Sequence, residues 1–165
     1  MTERTFVDTN VWVYAVDLSA VDKQNVALEL LRRAVQSDIV VSAQVLGEFY
    51  AVVTRKFSRE VTVADAGAMV AQLSRLPVVP IDARLVDAAM VGVEAWQLSY
   101  WDALIISAAE ASGCGRVLSE DMTDGGMYGS VRVENPFRKA PVGKEGRGGH
   151  MTQPSVFDDR EPGRK

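Results

Sequence analysis

Short apolar runs alternate along the chain with longer stretches in which apolar residues recur every three or four positions. The short runs predict buried strands, and the longer stretches predict amphipathic helices. Strands are expected at 5–8, 39–41, 78–79, 116–118 and 131–133. Helices are expected to begin near Asn10, to cover 22–36, to cover 43–57 after a cap at Ser42, to follow caps at Thr62 and Asp82, and to run from Tyr100 to Ala111.

Strands that alternate with helices are typical of an α/β protein, so we expect an α/β sandwich around a mostly parallel sheet. The pattern changes after Phe137. Residues 138–165 hold five Gly and three Pro among twenty-eight residues and have little apolar periodicity. Such a segment buries too little apolar surface to offset the entropy lost on ordering. The sequence therefore predicts one domain, 1–137, followed by a flexible segment, 138–165.

The composition indicates the class of protein. A chain of 165 residues that is 47% hydrophobic and 24% charged can form one globular domain with its own core. The single cysteine excludes an intramolecular disulfide framework. Asp8 and Asn10 interrupt the N-terminal apolar run, which therefore lacks the layout of a signal peptide. Since no apolar stretch approaches about eighteen residues, we expect a cytoplasmic protein that makes no membrane contact.

The histidine content limits the chemistry. The chain has one histidine, His150, and it lies in the segment that is predicted to be flexible. This excludes catalysis by paired histidines and zinc sites that need several His or Cys side chains. A hydrolytic site in this chain would therefore depend on carboxylates and, with them, on hard metal ions.

Two aspartates follow predicted strands. Asp8 and Asp121 are expected near the carboxyl edge of the sheet, where open α/β proteins bind ligands. Each also has a structural interpretation, because Asp8 can cap the next helix and Asp121 can stabilise a turn. Glu120 and Asp124 lie close enough in sequence to replace Asp121.

Two further acidic residues interrupt apolar helix faces. Glu48 shares a face with Val45 and Val52, where an ionised carboxylate is costly unless it is paired with a metal or a cation. The alternative is an ion pair with one of the basic residues that follow it. Asp102 lies in the first turn of its predicted helix, where it can also form a capping box with Ser99.

The four carboxylates together favour a divalent-metal site. Clustered negative charges repel one another unless cations compensate them. Ligand sets made only of oxygen select Mg²⁺ or Mn²⁺ over zinc, and such ions assist phosphoryl transfer by activating water and stabilising the leaving oxygen. The residues expected to bind the metal are Asp8, Glu48, Asp102 and Asp121.

Four segments carry the candidate residues: FVDTNV at 6–11, SAQVLGEF at 42–49, YWDALIISAA at 100–109 and LSEDM at 118–122. In this order they resemble the motifs of PIN-domain nucleases. The closing segment, GSVRVENPF, is similar to the end of compact toxins of the VapC type, and the resemblance covers residues 4–137. Each motif alone is weak evidence, whereas four at suitable spacing in one short domain are specific.

The resemblance implies a three-layer α/β/α sandwich that hydrolyses RNA with Mg²⁺ or Mn²⁺. It makes Asp8 and Asp102 the principal metal ligands, and Glu48 and Asp121 complete the acidic cluster. It also implies the toxin of a toxin–antitoxin pair, usually a homodimer, whose cognate antitoxin covers the site. The polar positions that match the family, and that would orient ligands or water, are Thr9, Asn10 and Ser119.

Three different functions stay open from the sequence. A phosphatase with Asp8 as nucleophile is disfavoured, because Asn10 stands where the haloacid-dehalogenase pattern has a second aspartate. The second function is that of a PIN-domain nuclease in RNA maturation, and the third is that of a PIN-fold module that binds RNA or protein without cleavage. The presence of all four acidic residues favours cleavage, and the short domain favours the toxin.

Charge and aromatic content bear on RNA binding. The net charge is −4, of which residues 138–165 contribute +3, so residues 1–137 carry −7 and match a phosphate backbone poorly without bound metal. Several aromatic side chains near the motifs can stack on bases, although packing in the core or in a dimer is favoured for most of them. These residues are Trp12, Tyr14, Tyr50, Tyr100 and Trp101.

Overall fold

The structure, a computed structural model, describes residues 4–34 and 38–138. Strands and helices alternate along these residues, as the sequence predicts. The strands are β1 (Thr5–Val7), β2 (Ile39–Ser42), β3 (Val78–Val79), β4 (Arg116–Leu118), β5 (Met127–Tyr128) and β6 (Val131–Glu134). The helices are α1 (Thr9–Tyr14), α2 (Val21–Ala34), α3 (Ala43–Lys56), α4 (Val63–Leu73), α5 (Ala83–Trp96) and α6 (Tyr100–Ala111).

The strands form one sheet in the order β3-β2-β1-β4-β6-β5. Neighbouring strands are parallel except for β5 and β6, which form an antiparallel pair. Helix α1 contacts α2 and α3, α3 contacts α4, and α5 packs against α6. The protein is therefore a three-layer α/β/α sandwich with a mostly parallel sheet, which confirms the expected fold class.

Local hydrogen bonds explain where the helices begin. The Ser42 hydroxyl accepts from the backbone N–H of Val45, and the Asp82 carboxylate accepts from that of Leu85. Thr62 begins α4 with a capping box, in which its hydroxyl and the carboxylate of Asp65 satisfy each other's backbone N–H groups. The caps predicted at these positions are confirmed.

The core lies between the sheet and its helices, and α6 is its most deeply buried helix. Every residue from Ala103 to Ala109 is buried, including Ile106, whose side chain is 0% exposed. Burial of one such aliphatic side chain contributes about 1.5–3 kcal/mol. Packing therefore fixes the position of α6, and with it the first turn that carries Asp102.

Some element bounds differ from the prediction. The first strand ends at Val7, because Asp8 leaves the sheet and caps α1. The antiparallel strand β5 was not predicted, since it has only two residues, lies among glycines and leaves Met127 exposed. The end of the helix predicted at 22–36 and residues 139–165 lie outside the described residues.

The helices differ from membrane-spanning segments in length and polarity. Among residues 4–34 and 38–138, no helix has the length and apolar character needed to cross a membrane.

Candidate active site

The topology brings together the segments that follow β1 and β4. Strands β1 and β4 are parallel neighbours, with Val7 paired to Leu118, so both chains leave the sheet at the same edge. Asp8 follows β1 directly, and the segment 119–121 follows β4. The prediction that Asp8 and Asp121 lie at one edge of the sheet is therefore confirmed.

Asp8 is the most deeply buried of the candidate carboxylates, at 6% exposed. One oxygen accepts from the backbone N–H of Thr9 at 2.7 Å. The other accepts from the Ser119 hydroxyl at 2.8 Å and from the Asn10 side-chain amide at 2.9 Å. The capping role that the sequence left as one alternative is therefore confirmed, and the same carboxylate also contacts two other polar side chains at this edge of the sheet.

Asn10 and Ser119 connect the two loops. The Asn10 amide nitrogen lies 3.1 Å from a carboxylate oxygen of Asp121, and the Asn10 carbonyl oxygen accepts from the backbone N–H of Glu120 at 3.1 Å. The Ser119 hydroxyl oxygen accepts from the backbone N–H of Asp121 at 3.2 Å. These contacts hold the loop after β4 against the start of α1 and keep Asp121 close to Asp8.

Glu48 reaches the same region from α3. Its two carboxylate oxygens accept from the Thr9 hydroxyl at 2.9 Å and from the Gln44 side-chain amide at 2.8 Å. Both donors are neutral, and the nearby Lys56 pairs instead with Asp17 at 3.6 Å. The carboxylate thus faces the candidate site and is not drawn toward the basic end of its helix.

Asp102 is held by the cap of its own helix. The Ser99 hydroxyl donates to the Asp102 carboxylate at 2.7 Å and accepts from the Asp102 backbone N–H at 3.2 Å. Gln44, which binds Glu48, also donates to the backbone carbonyl of Trp101 at 3.3 Å. This side chain therefore links α3 to the first turn of α6.

All four predicted carboxylates line one cavity of about 320 Å³, which we call the acidic cavity. Ser119 lies behind Asp8 and is fully buried. A separate cavity of about 900 Å³ beside α5 and α6 contains none of the four and is lined mainly by apolar residues. The full lining of the acidic cavity is Asp8, Thr9, Asn10, Val13, Tyr14, Gln44, Glu48, Val52, Lys56, Trp101, Asp102, Ile105, Glu120 and Asp121.

One wall of the acidic cavity was not predicted. Lys23 forms an ion pair with Glu120, donates to the Tyr14 hydroxyl at 3.1 Å and lies 4.5 Å from the centre of the Tyr14 ring. The Phe137 ring packs against the same ring in a T-shaped arrangement, with the centroids 4.9 Å apart. Glu120 is therefore neutralised by a lysine and does not act as a free neighbour of Asp121.

Asp124 lies outside the acidic cavity. Asp124 accepts from the backbone N–H of Asn135 at 2.8 Å and from Arg138 at 2.9 Å, and it does not line the acidic cavity. It therefore does not replace Asp121.

Gln44 was not predicted as a residue of the site, although its position four residues before Glu48 places both side chains on one helix face.

The charges at this edge oppose one another. The pKa of Asp8 is raised to about 6 from an ordinary value of 3.8, chiefly by burial and also by the negative charges of Glu48 and Asp121. Hydrogen bonds from Ser119 and Thr9 act in the opposite direction and favour the ionised form. A cation close to Asp8 would relieve both the burial cost and the repulsion.

The donor set fits a hard divalent cation, because it consists of carboxylate and amide oxygens. The side-chain oxygen of Gln44 is buried without a hydrogen-bond partner, which leaves one more oxygen without a donor in the acidic cavity. Within the described part of the chain, no three His, Cys, Asp or Glu side chains are grouped closely enough to hold a metal ion.

Comparison with known proteins identifies the fold independently. The family described as PIN domain matches residues 5–122. No curated protein sequence matches the chain significantly.

Several solved structures are similar to this one. VapC20 of Mycobacterium tuberculosis, described as a sarcin-ricin loop cleaving toxin, is 19% identical with a TM-score of 0.54, over 71% of this chain and 89% of that chain. VapBC2 of Rickettsia felis, bound to a promoter DNA fragment, is 20% identical with a TM-score of 0.55, over 79% and 97%. DNA-bound VapBC of Salmonella typhimurium is 15% identical with a TM-score of 0.58, over 82% and 99%. At these identities the likeness is one of fold.

Proposed function

The chain belongs to the PIN domain family, and we propose that it is a Mg²⁺- or Mn²⁺-dependent endoribonuclease that serves as the toxin of a toxin–antitoxin pair. The observation that carries this proposal is the acidic cavity, where four carboxylates from separate parts of the chain line one space of about 320 Å³. Such a concentration of negative charge is costly unless the site binds cations. The proposed catalytic and metal-binding residues are Asp8, Glu48, Asp102 and Asp121.

The residues around the carboxylates have positioning roles. Ser119 and Asn10 hold Asp8, and Thr9 holds Glu48 through its hydroxyl. The four carboxylates would hold a divalent cation, and that cation would supply positive charge for binding the phosphodiester and for activating water. The proposed reaction is a direct hydrolysis, in which water attacks phosphorus and no enzyme-linked intermediate forms.

The similar structures support the toxin role. They include a sarcin-ricin loop cleaving toxin and a toxin–antitoxin complex from Klebsiella pneumoniae. We propose by analogy that a cognate antitoxin binds this chain and covers the acidic cavity, that the chain forms a homodimer, and that it acts on RNA in the cytoplasm. A role in RNA maturation would use the same site, and growth of the cell distinguishes the two.

The first experiment measures cleavage of total RNA by the purified protein in Mn²⁺ and in EDTA. We expect discrete cuts from the wild type in Mn²⁺ only, and none from Asp102→Asn. Asp124→Asn is the matched control, because it removes an equal charge outside the acidic cavity. Equal cutting by wild type and Asp102→Asn would overturn the assignment of the active site. RNA binding without cutting would favour the non-cleaving module.

A second experiment separates a toxin from a maturation enzyme. Induced expression of the wild type in a bacterial host should arrest growth, whereas Asp102→Asn should not. Co-expression of the protein encoded by the neighbouring gene should restore growth if that protein is the antitoxin. Normal growth with active wild-type nuclease would favour RNA maturation.

A further inference from the structure

Trp101 is an exposed aromatic side chain at the acidic cavity. It is 61% exposed, it lines the acidic cavity, and it immediately precedes Asp102. An indole loses favourable burial when it faces water, and large aromatic side chains are usually mostly buried. Its position beside a candidate catalytic carboxylate therefore calls for a ligand that covers it.

The Trp101 indole contacts one neighbouring ring, and the Trp101 backbone is held by a hydrogen bond. The Tyr100 ring meets it edge to face, with the centroids 5.1 Å apart and the planes at 71°, and Tyr100 itself packs on the core. The Trp101 backbone carbonyl accepts from Gln44, whose side chain also binds Glu48. The backbone of Trp101 is thus tied to the elements that carry Glu48 and Asp102, which pre-organises it for binding.

Other aromatic side chains near the site are already engaged. The Tyr14 ring is contacted by the ammonium group of Lys23 and by the Phe137 ring. Trp12 is 1% exposed and belongs to the core. Trp101 is therefore the aromatic ring in the lining of the acidic cavity that can accept a new stacking partner.

The charge of the acidic cavity points to the same kind of contact. Its lining includes five acidic residues and one basic residue, Lys56, and Lys56 pairs with Asp17. Ionic contacts from the lining therefore contribute little to phosphate binding. Stacking on a nucleobase needs no charge, and every base offers a face for it.

We propose that Trp101 is a stacking platform for an unpaired nucleobase next to the bond that is cut, an inference that rests on the proposed function. A base inside a helix has both faces occupied by its neighbours, so the substrate is single-stranded or looped at the cleavage point. Because stacking tolerates any base, Trp101 selects unpaired RNA and does not read a sequence.

The test is an equilibrium titration of the protein with an oligonucleotide in Ca²⁺, followed by tryptophan fluorescence. The oligonucleotide is checked afterwards for integrity. The probes are single-stranded decaadenylate and a decamer of the same ribose-phosphate backbone without bases. We expect decaadenylate to quench wild-type fluorescence and the abasic decamer not to do so. Trp101→Phe should remove the quenching and retain much of the affinity, because a phenyl ring still stacks.

Trp101→Ala should bind decaadenylate about 5- to 100-fold more weakly, which corresponds to the loss of one stacked base. In cleavage of a single-stranded substrate, its KM should rise more than its kcat falls. Met127→Ala is the matched control, because Met127 is also 61% exposed and lies outside the acidic cavity. It should bind and cleave as the wild type does.

Two results would overturn the inference. In the first, Trp101→Ala binds decaadenylate as tightly as the wild type does, and the abasic decamer quenches the fluorescence of the wild type. The other is a change in oligomeric state of Trp101→Ala by light scattering with unchanged RNA affinity, which would assign the indole to a protein contact. Either result leaves the nuclease proposal intact if the wild type cuts RNA, whereas failure of wild-type cutting overturns that proposal independently of the titration.

Discussion

The Thr9 hydroxyl donates a hydrogen bond of 2.9 Å to the Glu48 carboxylate, across 39 positions of sequence. Thr9 is the first residue of α1, directly after Asp8, and Glu48 lies on α3. The contact turns the Glu48 carboxylate toward the end of β1, although the charge of Asp8 nearby opposes that orientation. A neutral donor thus helps to hold together two groups that repel each other.

Substitution of Thr9 by Val tests this contact. The side chains are close in volume, and Thr9 is 6% exposed, so the main change is the loss of one buried hydroxyl. We expect Thr9→Val to reduce kcat/KM for RNA cleavage about tenfold, since a hydrogen bond to a charged group contributes roughly 1.5 kcal/mol. Cleavage assays and urea unfolding of both proteins provide the measurement.

Two further variants control this prediction. Thr9→Ser retains the hydroxyl and should retain most of the activity. Thr54→Val removes a hydroxyl from the same helix as Glu48, where it donates to the backbone carbonyl of Tyr50, and activity should not change. Wild-type cleavage by Thr9→Val would show that Glu48 needs no help from this contact.

The raised pKa of Asp8 predicts how stability depends on pH in metal-free buffer. Because the folded-state pKa of about 6 is above the ordinary 3.8, the folded state binds the proton more tightly than the unfolded state. The resulting stabilisation is fully present below pH 3.8 and is lost as the pH rises through about 6. The difference between the two pKa values corresponds to roughly 3 kcal/mol.

Asp8→Asn isolates this contribution, because other carboxylates titrate in both proteins. We expect the stability of the variant relative to the wild type to increase by roughly 2–3 kcal/mol between pH 4 and pH 7. Mg²⁺ at pH 7 should then stabilise the wild type more than the variant. Urea unfolding in EDTA at several pH values measures the difference, and a difference that is independent of pH would contradict the prediction.

Ser119 supports the same carboxylate from behind. Its side chain is fully buried, donates to Asp8 at 2.8 Å and accepts from the backbone N–H of Asp121 at 3.2 Å. Ser119→Ala should lower stability by about 1–2 kcal/mol, because it leaves polar partners unsatisfied. It should also weaken Mg²⁺ binding, since both Asp8 and the loop of Asp121 lose a fixed position.

The control for Ser119 is Ser130→Ala, which removes a hydroxyl from an exposed loop. That hydroxyl donates to Glu110, outside the acidic cavity. Calorimetric titration with Mg²⁺ separates the two variants, because only Ser119→Ala should change the affinity. Equal affinities in both would limit Ser119 to a role in folding.

The sequence predicts those features that depend on local pattern. Caps at Ser42, Thr62 and Asp82 depend on residues three positions away, and the structure confirms them. The position of Asp8 and Asp121 at one edge of the sheet was likewise predictable, because parallel strands share a carboxyl edge. The strand order was not predicted, since it depends on contacts between distant parts of the chain.

Side-chain contacts within the site are also set by tertiary packing. The ion pair of Lys23 with Glu120 spans 97 positions of sequence, so no local pattern predicts it. The bridge from Gln44 to Trp101 likewise joins two helices that are distant in sequence. Sequence spacing thus indicates which carboxylates gather at the site but not which neutral or basic groups hold them.

The domain boundary that the composition predicts near Phe137 leads to a last testable prediction. The seven candidate site residues lie between positions 8 and 121, and the last described contacts join Phe137 to Tyr14 and Arg138 to Asp124. A protein that ends at Arg138 keeps these contacts. It should therefore unfold within about 2 °C of the full chain and cleave RNA at a similar rate.

A shorter protein that ends at Asn135 is the matched comparison. It loses the Phe137 ring that packs on Tyr14 and the ion pair of Arg138 with Asp124. It should unfold several degrees lower, because an aromatic pair contributes about 0.5–1.5 kcal/mol beyond its buried area. Thermal unfolding and RNA cleavage of all three lengths test the boundary. If the protein ending at Arg138 loses stability or activity while its contacts are retained, residues 139–165 are part of the functional domain, and the boundary predicted from the composition is wrong.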